Sequence, residues 1–376
     1  MSEYIWQNSS WPELTWDSSA LLPILGKARL MQGRLLGGVK RLGFEAGKAA
    51  QADILAEEAV KTAAIEGENL NPQMVRSSVA RHLGLKTAGL IPATRSVDSL
   101  VEVILDAVQK RDKPLSASRL KAWHASLFPT GYSGLHRIRA GQWRGQEPMR
   151  VVSGPMGREK IHFEAPPGKA VLHEMKSFLK WWQESRKTTD GILRAGLAHF
   201  RFVIIHPFED GNGRIARTLT DMALAQDEKL DVRYYSLSSQ IMEERKGYYG
   251  ILEKCSKNSG MDVTAWLAWF LECYERAVKR SEKLLERVLV KANFWQEHGQ
   301  DMLNERQKKT INRMLDAGPG NFEGGLTTRK YAGMNKVSRA TAFREISDMT
   351  VKKVLRQLTG KGRSVSYDLV WPSGGF

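Results

Sequence analysis

The stretch His206-Pro207-Phe208-Glu209-Asp210-Gly211-Asn212-Gly213-Arg214-Ile215-Ala216-Arg217 decides how the chain is read. The residues ahead of it, Ile192 to Ile205, are apolar over too long a run for a strand, which predicts a buried helix. Behind it, Leu219, Met222, Ala223 and Leu224 recur at helical spacing, so Arg214 to Gln226 reads as a second helix. The quoted stretch is then a helix-loop-helix junction.

That junction carries the residue types of a phosphate site. Gly211 and Gly213 let the backbone approach an anion and take positive φ, and the following helix points free N–H groups and its positive dipole end at the same place. Asn212 adds a side-chain donor, and Arg214 and Arg217, one turn apart, share a helix face from which both reach phosphate oxygens. Asp210 is the carboxylate placed to hold a hard cation such as Mg2+ between phosphates. His206 is the group able to move a proton near neutral pH. A Gly-Asn-Gly alone is a turn, and a histidine before proline alone is a packed side chain. Base, cation ligand, anion nest and two guanidinium groups in one junction instead indicate a nucleotide site.

The same residues resemble the signature His-Pro-Phe-x-(Asp/Glu)-Gly-Asn-Gly-Arg-x-x-Arg of Fic-domain enzymes, complete here from His206 to Arg217. The resemblance implies transfer of AMP from ATP to a Ser, Thr or Tyr hydroxyl of a protein. In that family the histidine is the general base, the acidic residue holds Mg2+, the Asn-Gly turn binds phosphates and the second arginine meets the γ-phosphate. Carried over, these are His206, Asp210, Asn212 with Gly213, and Arg217, with Arg214 on the phosphates as well. Thr62-Ala63-Ala64-Ile65-Glu66-Gly67 also resembles the inhibitory helix (Ser/Thr)-x-x-x-Glu-(Gly/Asn) of Fic proteins. A carboxylate at Glu66 paired with Arg217 would occupy the group that the γ-phosphate needs.

Composition frames the remainder. The chain has 376 residues, 42% hydrophobic and 26% charged, which suits a globular protein of two or three domains. Its two cysteines, Cys255 and Cys273, lie in helical stretches without metal-ligand spacing and read as buried thiols. The start, Met1-Ser2-Glu3-Tyr4, is no signal peptide and no apolar run approaches a membrane span, so the cytoplasm is the expected location and no membrane partner is expected. Residues 276 to 376 hold 20 Lys and Arg against 10 Asp and Glu, more than half of the net +16. Such clustering is compatible with nucleic acid or with an acidic partner.

The expected fold is mainly α: a Fic-type helical bundle with a small β-hairpin flap, a helical N-terminal unit and a C-terminal winged helix-turn-helix. The expected boundaries are 1–92, 93–290 and 291–376. Helices are expected over Ser18–Leu36 and Gln51–Glu66, and again within Ser96–Phe128 with a break near Pro114. His124 falls on the apolar face there and reads as a core histidine. Met149–Gly154 and Lys160–Ala165 read as strands around a Gly-Pro-Met-Gly turn. The segment 141–167 resembles the Fic flap, whose edge pairs with an extended target segment. Tyr248 and Tyr249 resemble the family segment near the adenine and are candidate nucleotide contacts, although both also suit core packing. Helices at Asn304–Leu315, Thr327–Tyr331 and Arg339–Thr350, then two strands around Gly360–Arg363, spell the winged helix, with Ser338, Arg339, Thr341 and Arg344 at the start of its recognition helix. That module suits DNA or protein contact, including a homodimer. A DNA-binding regulator with a sensory Fic core, a toxin-antitoxin-like regulator and an AMP-removing enzyme are the competing readings.

Overall fold

Asp190 starts the central helix of the chain. Its Oδ1 accepts from the N–H groups of Ile192 and Leu193, satisfying donors that a helix start leaves free. The helix ends where Pro207 disfavours helical geometry at the residue before it, and His206 closes it in the left-handed region at φ 49° and ψ 59°. The structure is a computed structural model that describes residues 4–40, 43–85, 91–153, 160–258, 260–299, 302–358 and 365–371.

In chain order the helices are α1 (Ser18–Val39), α2 (Phe44–Ile65), α3 (Pro72–His82), α4 (Arg95–Gln109) and α5 (Ala117–Leu127). Two short ladders follow, β1 (Tyr132–Ser133) with β2 (His136–Arg137) and β3 (Arg150–Ser153) with β4 (Lys160–Glu164), both antiparallel. Then come α6 (Val171–Thr188), α7 (Gly191–Ile205), α8 (Asn212–Glu228), α9 (Leu237–Glu243), α10 (Arg245–Ser256) and α11 (Thr264–His298). The chain closes with α12 (Glu305–Ala317), α13 (Thr328–Asn335), α14 (Arg339–Val351) and the antiparallel pair β5 (Leu355–Gln357) and β6 (Tyr367–Leu369). The fold is thus mainly α, as the periodicity predicts.

The described chain forms two compact units, residues 1–35 with 51–281, and residues 36–50 with 282–376. In the first, α7 and α8 pack along each other at the centre, with α4 and α5 against α8 and α6 against α7. Nearly every residue of α7 is buried, including Arg194, His199 and Arg201, which is why its sequence lacks a polar face. In the second, α12, α13 and α14 enclose Ile311, Met314, Tyr331, Ile346 and Met349, closed by Leu355 and Leu369 from the β5–β6 ladder.

Several elements differ from the sequence reading, the β1–β2 ladder among them. Helix α3 was not expected, because its buried stripe is only Val75, Ser78, Val79 and Ala80; it is started by Asn71, whose side chain accepts from Gln73 N. Helix α2 begins at Phe44 rather than Gln51. The expected turns at 154–157 and 360–363 lie outside the described residues.

The N-terminal end of α7 provides a stability prediction. Arg29 of α1 donates to Asp190 Oδ2 at 2.6 Å and to Asp227 Oδ2 of α8 at 2.5 Å, and a Cβ built on Gly191 would lie 2.2 Å from Asp227 Oδ1. Gly191→Ala is expected to lose about 1–3 kcal/mol by urea unfolding. Gly26→Ala, in α1 with nothing near its Cβ, should instead gain up to about 1 kcal/mol. Equal midpoints for the two variants would contradict the packing described.

Candidate active site

The α7–α8 junction is held from several sides. Asn212, the first residue of α8, accepts from Phe208 N at 3.0 Å and donates to Phe208 O at 2.8 Å, so its carboxamide braces the loop from within. The sequence reading has the Asn212 side chain donate toward a phosphate; in this conformation its oxygen and one N–H are used on Phe208, so the carboxamide also braces the turn whose main chain faces the anion site. Gly211 takes φ 76°, and a Cβ there would press 2.8 Å from the Phe128 ring, so glycine is needed for both conformation and space. His124 stacks on Phe208 with ring centroids 4.0 Å apart, accepts from Gly141 N at Nδ1 and donates to Asp210 O through Nε2. It is a buried histidine, as its place in the apolar periodicity predicts, and both nitrogens fix loops around the junction.

Asp210 is gripped by Gly211 N at 2.5 Å on Oδ1 and by the Ser133 hydroxyl on Oδ2. Among the described residues no cluster of three or more His, Cys, Asp or Glu forms a protein-only metal cage. A single carboxylate fits a hard cation that takes most of its oxygens from bound phosphates and water, as Mg2+ does.

The ring of His206 hydrogen-bonds through Nδ1 to Val203 O at 3.2 Å, which makes Nδ1 the donor and leaves Nε2 as the lone-pair nitrogen. Burial pushes its imidazole down to about 4, opposed by the Val203 carbonyl and aided by the Arg144 cation; the Glu66 and Asp210 carboxylates act against the depression. His206 is therefore neutral at pH 7. The same holds for His124, lowered to about 4, and His199, lowered to about 3, in both cases chiefly by burial.

Three histidines neutral in the fold but protonated below about 6.5 when unfolded make stability depend on acid. Their contribution is intact above the unfolded value and is lost as pH falls toward the folded ones. Urea unfolding from pH 7 to pH 5 is expected to show falling stability, about 1.4 kcal/mol per pH unit for each such proton once below pH 6. His199→Gln should flatten that slope by one proton; an unchanged slope would show His199 protonated in the fold.

Arg214 and Arg217 do project from one face of α8, and both meet carboxylates from a single segment of chain. Glu66, immediately after α2, places Oε1 2.7 Å from Arg217 Nη2. Arg217 also donates through Nε to Thr62 Oγ1 at 2.7 Å and through Nη2 to Thr62 O at 3.0 Å, while its buried Nη1 has no partner among the described residues. A Cβ on Gly213 would lie 2.2 Å from Glu66 Oε1, so an anionic oxygen rests on the bare backbone at the start of α8. Glu68, which the sequence reading did not single out, pairs its Oε2 with Arg214 Nη1 at 3.0 Å. Gly67, between them, is left-handed at φ 85° and ends α2 so that both carboxylates face α8.

The C-terminal half of α2 is fixed in this place. Glu58 accepts from Ser236 Oγ at 2.7 Å and Ser238 N at 3.1 Å, capping α9, and Arg245 Nε donates to Ile65 O at 2.9 Å. Tyr249, half exposed, reaches Ile65 O at 3.4 Å and lies near the site. Tyr248 is buried, with its hydroxyl 2.8 Å from His199 Nε2 and beside the Arg217 guanidinium, and its ring packs against Trp266 and Trp269. No pattern marked Glu68, Ser133, Arg144 or Arg245, whose partners are distant in sequence.

Comparison with known proteins agrees with this geometry. The Fic/DOC family model matches residues 114–224, and a family described as a domain of unknown function matches residues 4–85. Protein adenylyltransferase fic-1 of Caenorhabditis elegans is 30% identical over 165 residues, 43% of this chain and 30% of that protein. A probable protein adenylyltransferase of Aquifex aeolicus is 29% identical over 106 residues, 27% of this chain and 33% of its own length. The matched region thus spans about a third of these curated relatives. A crystal structure of a Fic family protein from Desulfovibrio desulfuricans G20 covers 97% of this chain, with the whole of that chain matched, at a TM-score of 0.57 and 17% identity. A Fic domain containing signaling protein from Bacteroides thetaiotaomicron covers 69% of this chain and 97% of its own at TM-score 0.52 and 19% identity. Among the described residues, no helix is long and apolar enough to cross a membrane. Residues 114–224, with the junction from His206 to Arg217 inside them, are a Fic domain.

Proposed function

We propose that this chain transfers AMP from ATP to a Ser, Thr or Tyr hydroxyl of a protein, and that the described conformation is held inactive by Glu66. The observation that carries the reading is the Glu66 carboxylate lying on Arg217 and against Gly213. A carboxylate oxygen is a fair stand-in for a phosphate oxygen, and its seat marks the start of α8 as an anion site.

In the reaction we infer, the ATP phosphates lie on the main chain of Gly211, Asn212 and Gly213, with Arg214 and Arg217 on their oxygens. Mg2+, held by Asp210 when bound, supplies charge neutralisation at the phosphates. The target hydroxyl loses its proton to Nε2 of His206 and forms a bond to the α-phosphorus, while the α–β bridging P–O bond breaks and pyrophosphate leaves with that electron pair. Extended target segments would dock on the edge of the flap, residues 141–167. Main-chain pairing gives little side-chain selectivity, so the target is not written there. Tyr249, and less so the buried Tyr248, remain candidate contacts for the base.

The N-terminal region to residue 92 acts in this reading as the inhibitory segment, 93–290 as the catalytic domain and 291–376 as a winged helix acting in the cytoplasm. Arg339 and Arg344 are exposed at the start of α14, and Lys336 makes the left-handed turn before it. Steep salt-dependent binding to one duplex sequence would favour DNA as the partner of that module.

Glu68 gives this reading a graded test. It is about half exposed and, among the described residues, pairs with Arg214 alone, so its charge is screened. Glu68→Ala is expected to raise self-modification less than 10-fold, because Glu66 still masks Arg217. Measured by intact mass after incubation with ATP and Mg2+, an effect as large as that of Glu66→Gly would reassign the main inhibitory contact.

A further inference from the structure

Arg144 is 95% removed from solvent, with 5% of its surface exposed, yet it forms no ion pair among the described residues. Its guanidinium spends its donors on main-chain oxygens: Nε on His206 O at 2.8 Å and Nη2 on Pro166 O. Its own N–H donates to Pro207 O at 2.9 Å, and Nη1 is buried without a partner among the described residues. Burial pushes this arginine below its ordinary value, the sign of a cation kept where it is costly.

The two carbonyls belong to different working parts. His206 O is the carbonyl of the candidate base, at a residue held in the left-handed region that a side chain with Cβ enters only at a cost of roughly 1–3 kcal/mol. Pro166 O follows the end of β4. The flap ladder extends to that point, since Ala165 N donates to Met149 O at 2.9 Å, and Trp6 Nε1 and Phe163 pin the strand end to the body of the fold. One planar fork therefore spans the base and the root of the flap, while the outer flap residues Val152 and Ile161 are exposed for pairing.

Resting on the AMP-transfer reading, we propose that Arg144 is a positioning residue: it fixes the flap in register with His206, so that a hydroxyl carried by a segment paired to the flap arrives over Nε2. It touches neither nucleotide nor target. Its removal should cost rate and not nucleotide affinity, because small misplacement of reacting groups is costly while the anion seat on α8 is separate.

The experiment places Arg144→Lys and Arg144→Met in the Glu66→Gly chain. Self-modification at saturating ATP is followed by intact mass, ATP affinity by calorimetry, and His206 by 15N spectra across pH. Both variants are expected to lose transfer by ~10- to 100-fold, with ATP affinity within about threefold of the parent. Lysine cannot span both carbonyls, so it should not restore the rate although it keeps the charge. In the 15N spectra the ordered Nδ1–H tautomer should be lost in both. In the methionine variant alone the His206 titration should move upward, since Arg144 is the cation facing the ring, and with Glu66 already removed from this chain Asp210 and the Val203 carbonyl are left to oppose it. Full rate in either variant, or ATP affinity falling in step with rate, would overturn the proposal. If the Glu66→Gly parent transfers nothing, the transfer reading fails; an unchanged tautomer and titration in the variants would then overturn the role of Arg144 separately. Arg144→Lys guards against a misfolded methionine variant, with thermal midpoints as the check.

Discussion

The Glu66→Gly chain, incubated with ATP and Mg2+, is expected to gain AMP at about 10- to 100-fold the rate of the parent. The magnitude follows from the contact removed: a hydrogen bond to a charged group is worth about 1.5–3 kcal/mol, and each 1.4 kcal/mol is a factor of ten in population. Glu66 is about one-third exposed while Arg217 is almost fully buried, so opening the pair costs chiefly on the arginine side. Burial lowers the Arg217 value, but the Glu66 carboxylate, together with the Tyr248 and Tyr249 hydroxyls, more than offsets it and the guanidinium is held above its ordinary range. A γ-phosphate offers the same compensation, so it can replace the carboxylate once that is gone. Glycine at 66 removes the competing anion without touching α8. Arg217→Ala frees the same space but deletes the phosphate partner, so it should not activate. Activation by both substitutions would show that Glu66 blocks by bulk rather than by competing for a charge.

The junction was legible because its chemistry is local. Helix, left-handed exit before Pro207, glycine turn and two arginines one turn apart are all set within a few residues of one another, and each leaves a mark in the sequence. Glu66 is legible only through the resemblance of its segment to an inhibitory helix; its partner lies 151 residues away, and nothing in the helical pattern of α2 points there. Glu68 and Arg144 show the limit more clearly. Arg144 sits among arginines and glycines of irregular chain, and its role exists only because folding brings His206 O and Pro166 O to one guanidinium. The Asn212 carboxamide teaches the converse. A polar side chain in a phosphate turn suggests a ligand donor, yet a tight loop has its own unsatisfied N–H and C=O groups, and Asn212 serves those of Phe208 first. Helix α3 is not legible for a simpler reason: a buried stripe of two valines, a serine and an alanine gives little periodic contrast.

Placing His206→Ala in the Glu66→Gly chain is expected to reduce AMP transfer by ~100- to 10,000-fold, the range spanned by a positioned general base, while ATP binds as before. The geometry separates the two effects. Nδ1 is committed to Val203 O, so Nε2 alone is basic, and neither nitrogen has a described bond to Arg214, Arg217 or the Gly211–Gly213 turn where the phosphates are proposed to lie. The pH dependence sharpens the test. The base works only unprotonated, and with its imidazole lowered to about 4 the rate should hold level from pH 7 to pH 5 and fall on approaching pH 4. A histidine at its ordinary value of about 6.5 would already lose most of its activity at pH 5.5. A weak base with a value near 4 takes a proton poorly from a ground-state hydroxyl; it acts late, once bond formation to phosphorus has made that hydroxyl acidic. Transfer that survives His206→Ala at a comparable rate would remove the imidazole from the proton path and leave positioning and phosphate neutralisation to account for the chemistry.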